Sequence, residues 1–219
     1  MSVVTIERKV LEKNDALAAQ NRARFRERGV FVFNLVSSPG SGKTSLLEQT
    51  IVELRDRLRI GVIEGDVQTD LDAQRVARYG VPVVQLVTNG SCHLEAQLVQ
   101  TAVDQLDLGA LDVLVIENVG NLVCPANFDL GEALKVVVLS TTEGDDKPLK
   151  YPAMFRNASV LVVNKIDLLP FVPCDIDALE RNARQINPDL VIFETSCTSG
   201  AGIPAWCDWI ARQSTAVHA

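Results

Sequence analysis

Short runs of β-branched and aliphatic residues alternate with amphipathic stretches along most of the 219-residue chain. Runs such as residues 136–139 and 160–163 contain no polar residue, which is typical of strands covered on both faces in a parallel sheet. The predicted strands are residues 30–36, 60–64, 83–87, 113–117, 135–140, 160–164 and 191–195. The pattern therefore predicts an α/β fold with a mainly parallel sheet and helices on both faces.

In the segments between these strands, apolar residues recur every three or four positions. They predict helices at residues 43–58, 71–79, 93–106, 177–186 and 203–212. A further helix is predicted at residues 6–28, where a thin apolar stripe runs among many charges and Gly29 ends the pattern. Residues 1–219 are expected to form a single domain, because doubly wound α/β domains commonly reach this size. We expect the N-terminal helix to pack on this domain.

Charge and composition indicate which binding partners and which cellular compartment to expect. The chain has 21 basic and 28 acidic residues, a net charge of -7, which argues against a nucleic-acid or anionic-membrane surface. Residues 1–9 lack the apolar region of a signal peptide, and no stretch is long enough to span a bilayer, so we expect a cytoplasmic protein. In that reducing compartment the five cysteines are expected to be free thiols or metal ligands.

The strand that ends near Ser37 is followed by a glycine-rich turn and the start of a helix, as in P-loop NTPases. Small residues let backbone N–H groups close on phosphate oxygens, Lys43 supplies positive charge, and the Thr44 hydroxyl can ligate Mg²⁺. The predicted phosphate-binding residues are Gly40, Ser41, Gly42, Lys43, Thr44 and Ser45. Ser37 occupies the first glycine position of the motif, and a chance glycine cluster between a strand and a helix is the alternative interpretation.

Acidic residues follow two other predicted strands. A carboxylate at a strand end beside the P-loop is the usual partner of phosphate-bound Mg²⁺, so Asp66 is the first candidate and Glu117 the second. The Gly120 N–H is placed to sense a γ-phosphate. Asp66 or Asp72 is expected to orient the attacking water. The alternative is that Asp66 and Glu117 only cap turns or helices.

The sixth predicted strand ends in the sequence Asn164-Lys165-Ile166-Asp167. A carboxylate at Asp167 can accept both the N1–H and the amino group of guanine, which adenine does not offer, while the Lys165 stem covers the ring. After the seventh strand, Ser196 and Cys197 are placed to support the base. The motif favours GTP and GDP over adenine nucleotides, although a polar turn at a strand end would look similar.

Cys92, His93 and Cys124 form a candidate site for Ni²⁺ or Zn²⁺. Cys92 and His93 are predicted to begin a helix, where the pKa of a thiol is lowered. A structural zinc site takes four protein ligands, so three ligands suggest a site completed across a two-fold dimer. The alternatives are buried, inert cysteines and a nucleophilic Cys92. Outside the metal set, Cys174, Cys197 and Cys207 are interpreted as structural, and His218 as a solvated residue.

Taken together, these motifs resemble the hydrogenase maturation GTPases of the HypB family. The resemblance runs through nearly the whole chain, and the family tolerates serine at the position of Ser37. The matching segments are residues 10–14, 37–44, 64–66, 92–94, 117–125, 142–152 and 164–167.

The resemblance implies a GTP-dependent homodimer with nickel or zinc at the interface, held by Cys92, His93 and Cys124. It implies slow, Mg²⁺-dependent hydrolysis of GTP to GDP and phosphate, and delivery of nickel during [NiFe] hydrogenase maturation. The implied partners are hydrogenase maturation factors or the hydrogenase large subunit, with no nucleic acid and no membrane. Within the charged segment 142–152, we hypothesise that Lys147 or Lys150 contacts the nucleotide or the facing subunit.

Three rival functions remain open from the sequence. A nickel chaperone GTPase of the urease type has a proline between its cysteine and histidine, whereas Cys92 and His93 are adjacent. A P-loop kinase for a small molecule would need a substrate pocket and a mobile lid, and the guanine motif argues against it. The third rival is a redox or structural zinc protein with a vestigial nucleotide site.

Overall fold

The computed structural model describes residues 6–88 and 90–217, with side chains from residue 10 onward. His218, which the sequence predicts to be a solvated residue, lies outside the described residues. The strands are β1 (Phe31–Ser37), β2 (Ile60–Asp66), β3 (Val83–Val87), β4 (Val113–Glu117), β5 (Leu134–Ser140), β6 (Val160–Asn164) and β7 (Val191–Glu194). They form one sheet in the order β3-β2-β4-β1-β5-β6-β7, and every neighbouring pair is parallel.

Helices cover both faces of this sheet. They are α1 (Ile6–Glu27), α2 (Lys43–Leu54), α3 (Leu71–Ala77), α4 (Ala96–Val103), α5 (Lys147–Lys150), α6 (Pro152–Arg156), α7 (Ile176–Ile186) and α8 (Ile203–Ala216). Apolar residues of α2, α3 and α8 pack on one face, and those of α1, α4, α6 and α7 pack on the other. Within the part of the chain that the structure describes, no helix combines the length and apolar character needed to cross a membrane.

The predicted α/β fold is confirmed, and each strand lies within two residues of its predicted bounds. Several helix ends differ from the prediction: α2 ends at Leu54 instead of residue 58, α8 ends at Ala216 instead of residue 212, and α4 begins at Ala96 instead of residue 93. The preceding segment is held by side chains of other elements: Asn118 Oδ1 accepts from the Leu94 N–H, and Asn14 Oδ1 accepts from the Ala96 N–H. The helices α5 and α6 were missed because four or five residues are too few to show a helical period.

Buried polar contacts attach α1 to the domain, which explains its thin apolar stripe. The Asn21 amide donates to the carbonyls of Ala96 and Leu130, at 2.9 and 3.1 Å. Arg22 Nη2 donates to both carboxylate oxygens of Asp129 at 2.6 Å. Helix α1 is therefore anchored to the start of α4 and to the connection between β4 and β5.

Replacing Asp129 with asparagine is expected to lower the free energy of unfolding by about 1–2 kcal/mol at neutral pH, since solvent screens part of this ion pair. Burial alone would raise the pKa of Asp129, but Arg22 and the Gly131 N–H outweigh it and hold the pKa below its ordinary value. The stabilisation is therefore present above the unfolded-state pKa and is lost as the pH falls through the folded-state pKa. Urea unfolding at a series of pH values tests this, and a difference that persisted at acid pH would contradict it.

Parallel pairing brings the carboxyl ends of the central strands to one edge of the sheet. In this register Glu64, two residues before the end of β2, lies beside Glu117 at the end of β4, and Ser140 lies beside Asn164. Ligands of open parallel sheets bind at this edge, where the loops after neighbouring strands diverge. Most residues of the predicted nucleotide site follow these strand ends.

Candidate nucleotide and metal sites

The P-loop borders a cavity of about 530 Å³ at the carboxyl ends of β1, β2 and β4. Gly40 and Gly42 have φ angles of 77° and 95°, in the left-handed region that favours glycine. A Cβ on Gly42 would lie 2.5 Å from the Asn164 amide nitrogen, so only glycine fits at this position without a rearrangement. The residues from Gly40 to Ser45 all line the cavity, as the sequence predicts.

Three carboxylates meet at the end of this cavity. Ligand oxygens of Glu64, Asp72 and Glu117 lie within 4.8 Å of one another. The Thr44 hydroxyl donates to Glu117 Oε1 at 2.7 Å, and Lys43 Nζ lies 3.5 Å from the same oxygen. Glu64 Oε2 and Glu117 Oε2 are buried and have no hydrogen-bond partner among the described residues. Carboxylate and hydroxyl oxygens are the ligands that Mg²⁺ prefers, so this donor set fits the predicted cation.

The electrostatics of the cluster reflect burial of like charges. Burial and the neighbouring Glu117 raise the pKa of Glu64 to about 11. Burial also raises the pKa of Glu117, although Lys43 and the Thr44 hydroxyl oppose the shift. Two buried carboxyl groups at this separation repel each other when both are ionised. A divalent cation would remove that repulsion.

Glu64 was missed as a site residue, while Asp66, the first candidate for Mg²⁺, lies outside the carboxylate cluster. Asp66 lines the cavity, but its Oδ1 accepts from the backbone N–H groups of Gln68 and Thr69. Burial acts to raise the pKa of Asp66, and these N–H groups lower it below its ordinary value. The signal for Glu64 was its position near the end of β2, beside Glu117 in the parallel register.

Replacing Glu64 with glutamine is expected to stabilise the metal-free protein by about 1–3 kcal/mol at neutral pH. The unfolded chain carries an ionised Glu64 at this pH, whereas burial and Glu117 oppose the charged form in the folded state. Because the folded-state pKa is raised, stability is greatest below the unfolded-state pKa and falls as the pH rises between the two values. Urea unfolding with a chelator measures the gain, which should vanish at acid pH. Glu53→Gln on the exposed side of α2 is the matched control, and equal effects of both substitutions would contradict the prediction.

The guanine motif lies beside the P-loop. Lys165, the one non-glycine residue with positive φ in the described chain, donates from Nζ to the Gly40 carbonyl at 2.7 Å. The Asn164 amide donates to the Ser41 carbonyl at 3.1 Å. Asp167 Oδ1 accepts from the Ser196 hydroxyl at 2.6 Å, which orients the carboxylate predicted to bind the base.

The predicted supporting residue Cys197 also lies in this cluster. Its Sγ is 3.5 Å from Asn164 Oδ1, and its thiol is half-buried. Burial raises the pKa of Cys197, although the contact with Asn164 opposes the shift. The structure thus brings Asn164, Lys165, Asp167, Ser196 and Cys197 together next to the P-loop.

The charged segment after β5 also reaches the P-loop. Glu143 Oε1 accepts from the Ser41 hydroxyl at 2.6 Å, a contact that the sequence did not predict. Lys147 Nζ lies 3.3 Å from Ser38 Oγ and 3.3 Å from Glu143 Oε2. Lys150 instead pairs with Asp146 at 2.6 Å on the surface. Of the two lysines predicted to contact the nucleotide or a facing subunit, Lys147 is therefore the one beside the phosphate loop.

Cys92, His93 and Cys124 also come together, as predicted. One ligand atom of each lies within 4.8 Å of the others, and the two Sγ atoms are 2.8 Å apart. His93 Nε2 is buried without a hydrogen-bond partner among the described residues, and the His93 ring lies 4.0 Å from the Phe128 ring. Two thiols and an imidazole form a donor set suited to nickel or zinc.

The predicted helix start at Cys92 and His93 is wrong, since α4 begins at Ala96. The expected lowering of the Cys92 pKa by a helix N-terminus is therefore absent. The hydrogen bond to the Cys124 thiol, followed by burial, raises the pKa of Cys92. Burial lowers the pKa of His93, although Glu95 opposes the shift, and this favours the neutral imidazole that binds metals.

The connection between β4 and β5, residues 118–133, contacts both sites, and we call it the β4–β5 loop. A Cβ on Gly120 would lie 3.2 Å from atoms of Pro39, so the loop is in contact with the P-loop. The Asn121 amide donates to the Cys92 carbonyl at 3.3 Å. Cys124 belongs to the same loop. The predicted phosphate sensor and one predicted metal ligand therefore lie on one short segment.

Comparisons with known proteins identify the family of this chain. Residues 31–194 match the family described as CobW/HypB/UreG, nucleotide-binding domain. Hydrogenase maturation factor HypB of Azotobacter vinelandii is 54% identical over 211 residues, covering 96% of this chain and 70% of the relative.

Two solved structures are also similar. HypB from Archaeoglobus fulgidus has a TM-score of 0.87 at 38% identity, covering 93% of this chain and 99% of that chain. HypB from Helicobacter pylori in complex with nickel has a TM-score of 0.88 at 37% identity, covering 93% of this chain and 95% of that chain. The chain therefore belongs to the HypB family of hydrogenase maturation factors, with a P-loop nucleotide-binding fold.

Proposed function

We propose that this protein is a Mg²⁺-dependent GTPase that binds nickel at a GTP-dependent dimer interface and delivers it during [NiFe] hydrogenase maturation. All 219 residues would form one GTPase domain acting in the cytoplasm. The observation that carries the proposal is the β4–β5 loop, which contacts the P-loop at Gly120 and carries Cys124 of the Cys-His-Cys cluster. The nickel-bound HypB relative of similar fold supports the choice of metal.

In the nucleotide site, residues 40–45 would surround the phosphates with backbone N–H groups, and Lys43 would neutralise part of their charge. Asp167, held by Ser196, would accept from the guanine edge. Thr44 and Glu117, with Glu64 or Asp72, would hold Mg²⁺, which neutralises negative charge on the β- and γ-phosphates. Asp66 or Asp72 would orient the attacking water. The expected rate is slow, because the sequence shows no obvious arginine finger.

In the metal site, one chain would supply three ligands, one fewer than a closed structural zinc site takes. A second copy related by a two-fold axis would supply the missing ligands. The surroundings suit such an interface, because Val123, next to Cys124, is 61% exposed. Zinc binds the same ligand types, so either metal would occupy the site in vitro.

Nucleotide state would act on the metal through the β4–β5 loop. A γ-phosphate that contacts Gly120 would shift the loop against Pro39, and Cys124 lies four residues further along. Because dimerisation adds ligands and hydrolysis removes the γ-phosphate, the affinity for nickel should depend on the nucleotide. The acceptor would be another hydrogenase maturation factor or the hydrogenase large subunit.

The decisive experiment measures nickel affinity and oligomeric state with GDP and with a non-hydrolysable GTP analogue. The proposal predicts a dimer with the analogue and a changed nickel affinity. Equal nickel affinities in both nucleotide states would contradict the proposed coupling between nucleotide and metal. Absence of GTP hydrolysis would contradict the proposed GTPase activity. Product analysis for a phosphorylated metabolite tests the kinase alternative separately.

A further inference from the structure

A buried lysine contacts the loop that carries one of the candidate metal ligands, but it does not contact the ligand side chains. Lys135 on β5 is 6% exposed, and its ammonium donates to the carbonyls of Pro125, Ala126 and Phe128 at 2.8, 3.2 and 3.2 Å. The nearest acidic group is Glu132, whose Oε1 lies 4.0 Å away. A buried ammonium is costly unless its donors are satisfied, and here all three donors end on one stretch of the β4–β5 loop.

That stretch fixes two parts of the metal site. Cys124 directly precedes Pro125, so the Lys135 contacts hold the backbone next to the thiol ligand. Phe128 packs its ring on His93 with centroids 4.0 Å apart. Holding the carbonyls at positions 125, 126 and 128 therefore sets the position of Cys124 and of the ring that supports His93.

A chain of buried hydrogen bonds leads from Glu132 to the other ligand segment. Asn34 donates to Glu132 Oε1 at 3.2 Å, and Asn118 donates to Asn34 Oδ1 at 3.3 Å. Asn118 Oδ1 in turn accepts from the Leu94 N–H at 3.1 Å, directly after His93. Each of these side chains is at most 7% exposed. The two segments that carry the metal ligands are thus joined through the interior of the protein.

We propose that Lys135 is a positioning residue of the metal site, which holds Cys124 and His93 at a fixed separation through the carbonyls of the β4–β5 loop. This inference rests on the proposed function, since it assigns a supporting role at the proposed nickel site. Lys135 does not line the nucleotide cavity, so its loss should change metal binding and leave nucleotide binding intact. Partners beyond the direct ligands orient those ligands and affect metal affinity.

The test compares nickel and cobalt binding by wild-type protein and Lys135→Met, which keeps an unbranched side chain and removes the ammonium. We expect nickel affinity to fall by roughly 10- to 100-fold, as for other supporting groups of metal sites. The thiolate-to-cobalt charge-transfer absorption should also change, and GDP affinity should stay within about twofold. Lys135→Arg, which keeps a charged donor, should restore part of the affinity. Lys13→Met on the exposed surface of α1 is the matched control.

The double variant Glu132→Gln/Lys135→Met removes both charges and keeps the test available if the single variant fails to fold. A folded variant that binds GDP and also binds nickel as tightly as wild type, with unchanged cobalt absorption, would overturn the inference alone. Failure of the wild-type protein to bind nickel would instead overturn the proposed function.

Discussion

Replacing Asp167 with asparagine is expected to lower the affinity for GTP by roughly 100- to 10,000-fold, because two charge-assisted hydrogen bonds to guanine are lost. Xanthine carries a carbonyl oxygen where guanine carries its amino group, and the asparagine amide can donate to that oxygen. The variant should therefore gain affinity for xanthosine triphosphate. The Ser196 hydroxyl can still donate to the amide oxygen of the new side chain, so the local structure should persist.

Competition binding with GTP, xanthosine triphosphate and ATP measures this change in base preference. Asp208→Asn, which removes an exposed carboxylate on α8 paired with Arg57, is the control and should leave all three affinities unchanged. If the Asp167 variant kept wild-type affinity for GTP, Asp167 would not bind the base, and the guanine assignment would lose its main support.

Replacing Cys124 with serine is expected to weaken nickel binding by about 100-fold or more. Four-ligand zinc sites bind with roughly 10–16 kcal/mol in total, so one ligand accounts for about 3 kcal/mol. Serine keeps the size of the side chain, but its hydroxyl does not ionise near neutral pH and is a poor ligand for these metals. Because Cys124 does not line the nucleotide cavity, GDP affinity should not change.

Titration with nickel in the presence of a competing chromophoric chelator measures the affinity. Cys174→Ser makes the same chemical change at a half-buried thiol outside the cluster and should have no effect on nickel binding. Nickel binding by the Cys124 variant at wild-type affinity would place the metal elsewhere in the protein.

Periodicity predicted the sheet well because its five central strands are buried on both faces and consist mainly of apolar residues. It failed where local sequence and tertiary contacts disagree. Residues 93–95 have a helical pattern, yet Leu94 and Ala96 donate to the side chains of Asn118 and Asn14, which are distant in sequence. Such contacts leave no periodic signal in the chain, so the start of α4 could not be read from it.

The sequence also predicted most residues of the candidate sites, but it missed one residue whose position depends on strand register. The P-loop, the guanine motif and the Cys-His-Cys set each use residues close to a strand end, and the topology brings them together. Glu64 was missed because its role depends on the β2–β4 register, which places it beside Glu117. Asp66 lies outside the carboxylate cluster because its Oδ1 accepts from N–H groups of its own turn. Neither fact can be derived from spacing alone.

The contacts of Lys165 and Asn164 with the P-loop have a consequence for binding kinetics. These hydrogen bonds join the predicted base-binding motif to the carbonyls of Gly40 and Ser41 through protein atoms alone. The conformational entropy of these two loops is therefore lost during folding. Nucleotide binding then requires little further ordering of the loops. Nucleotide capture by this preorganised site should need no loop closure around the base, and the association rate should be insensitive to solvent viscosity beyond the diffusional effect.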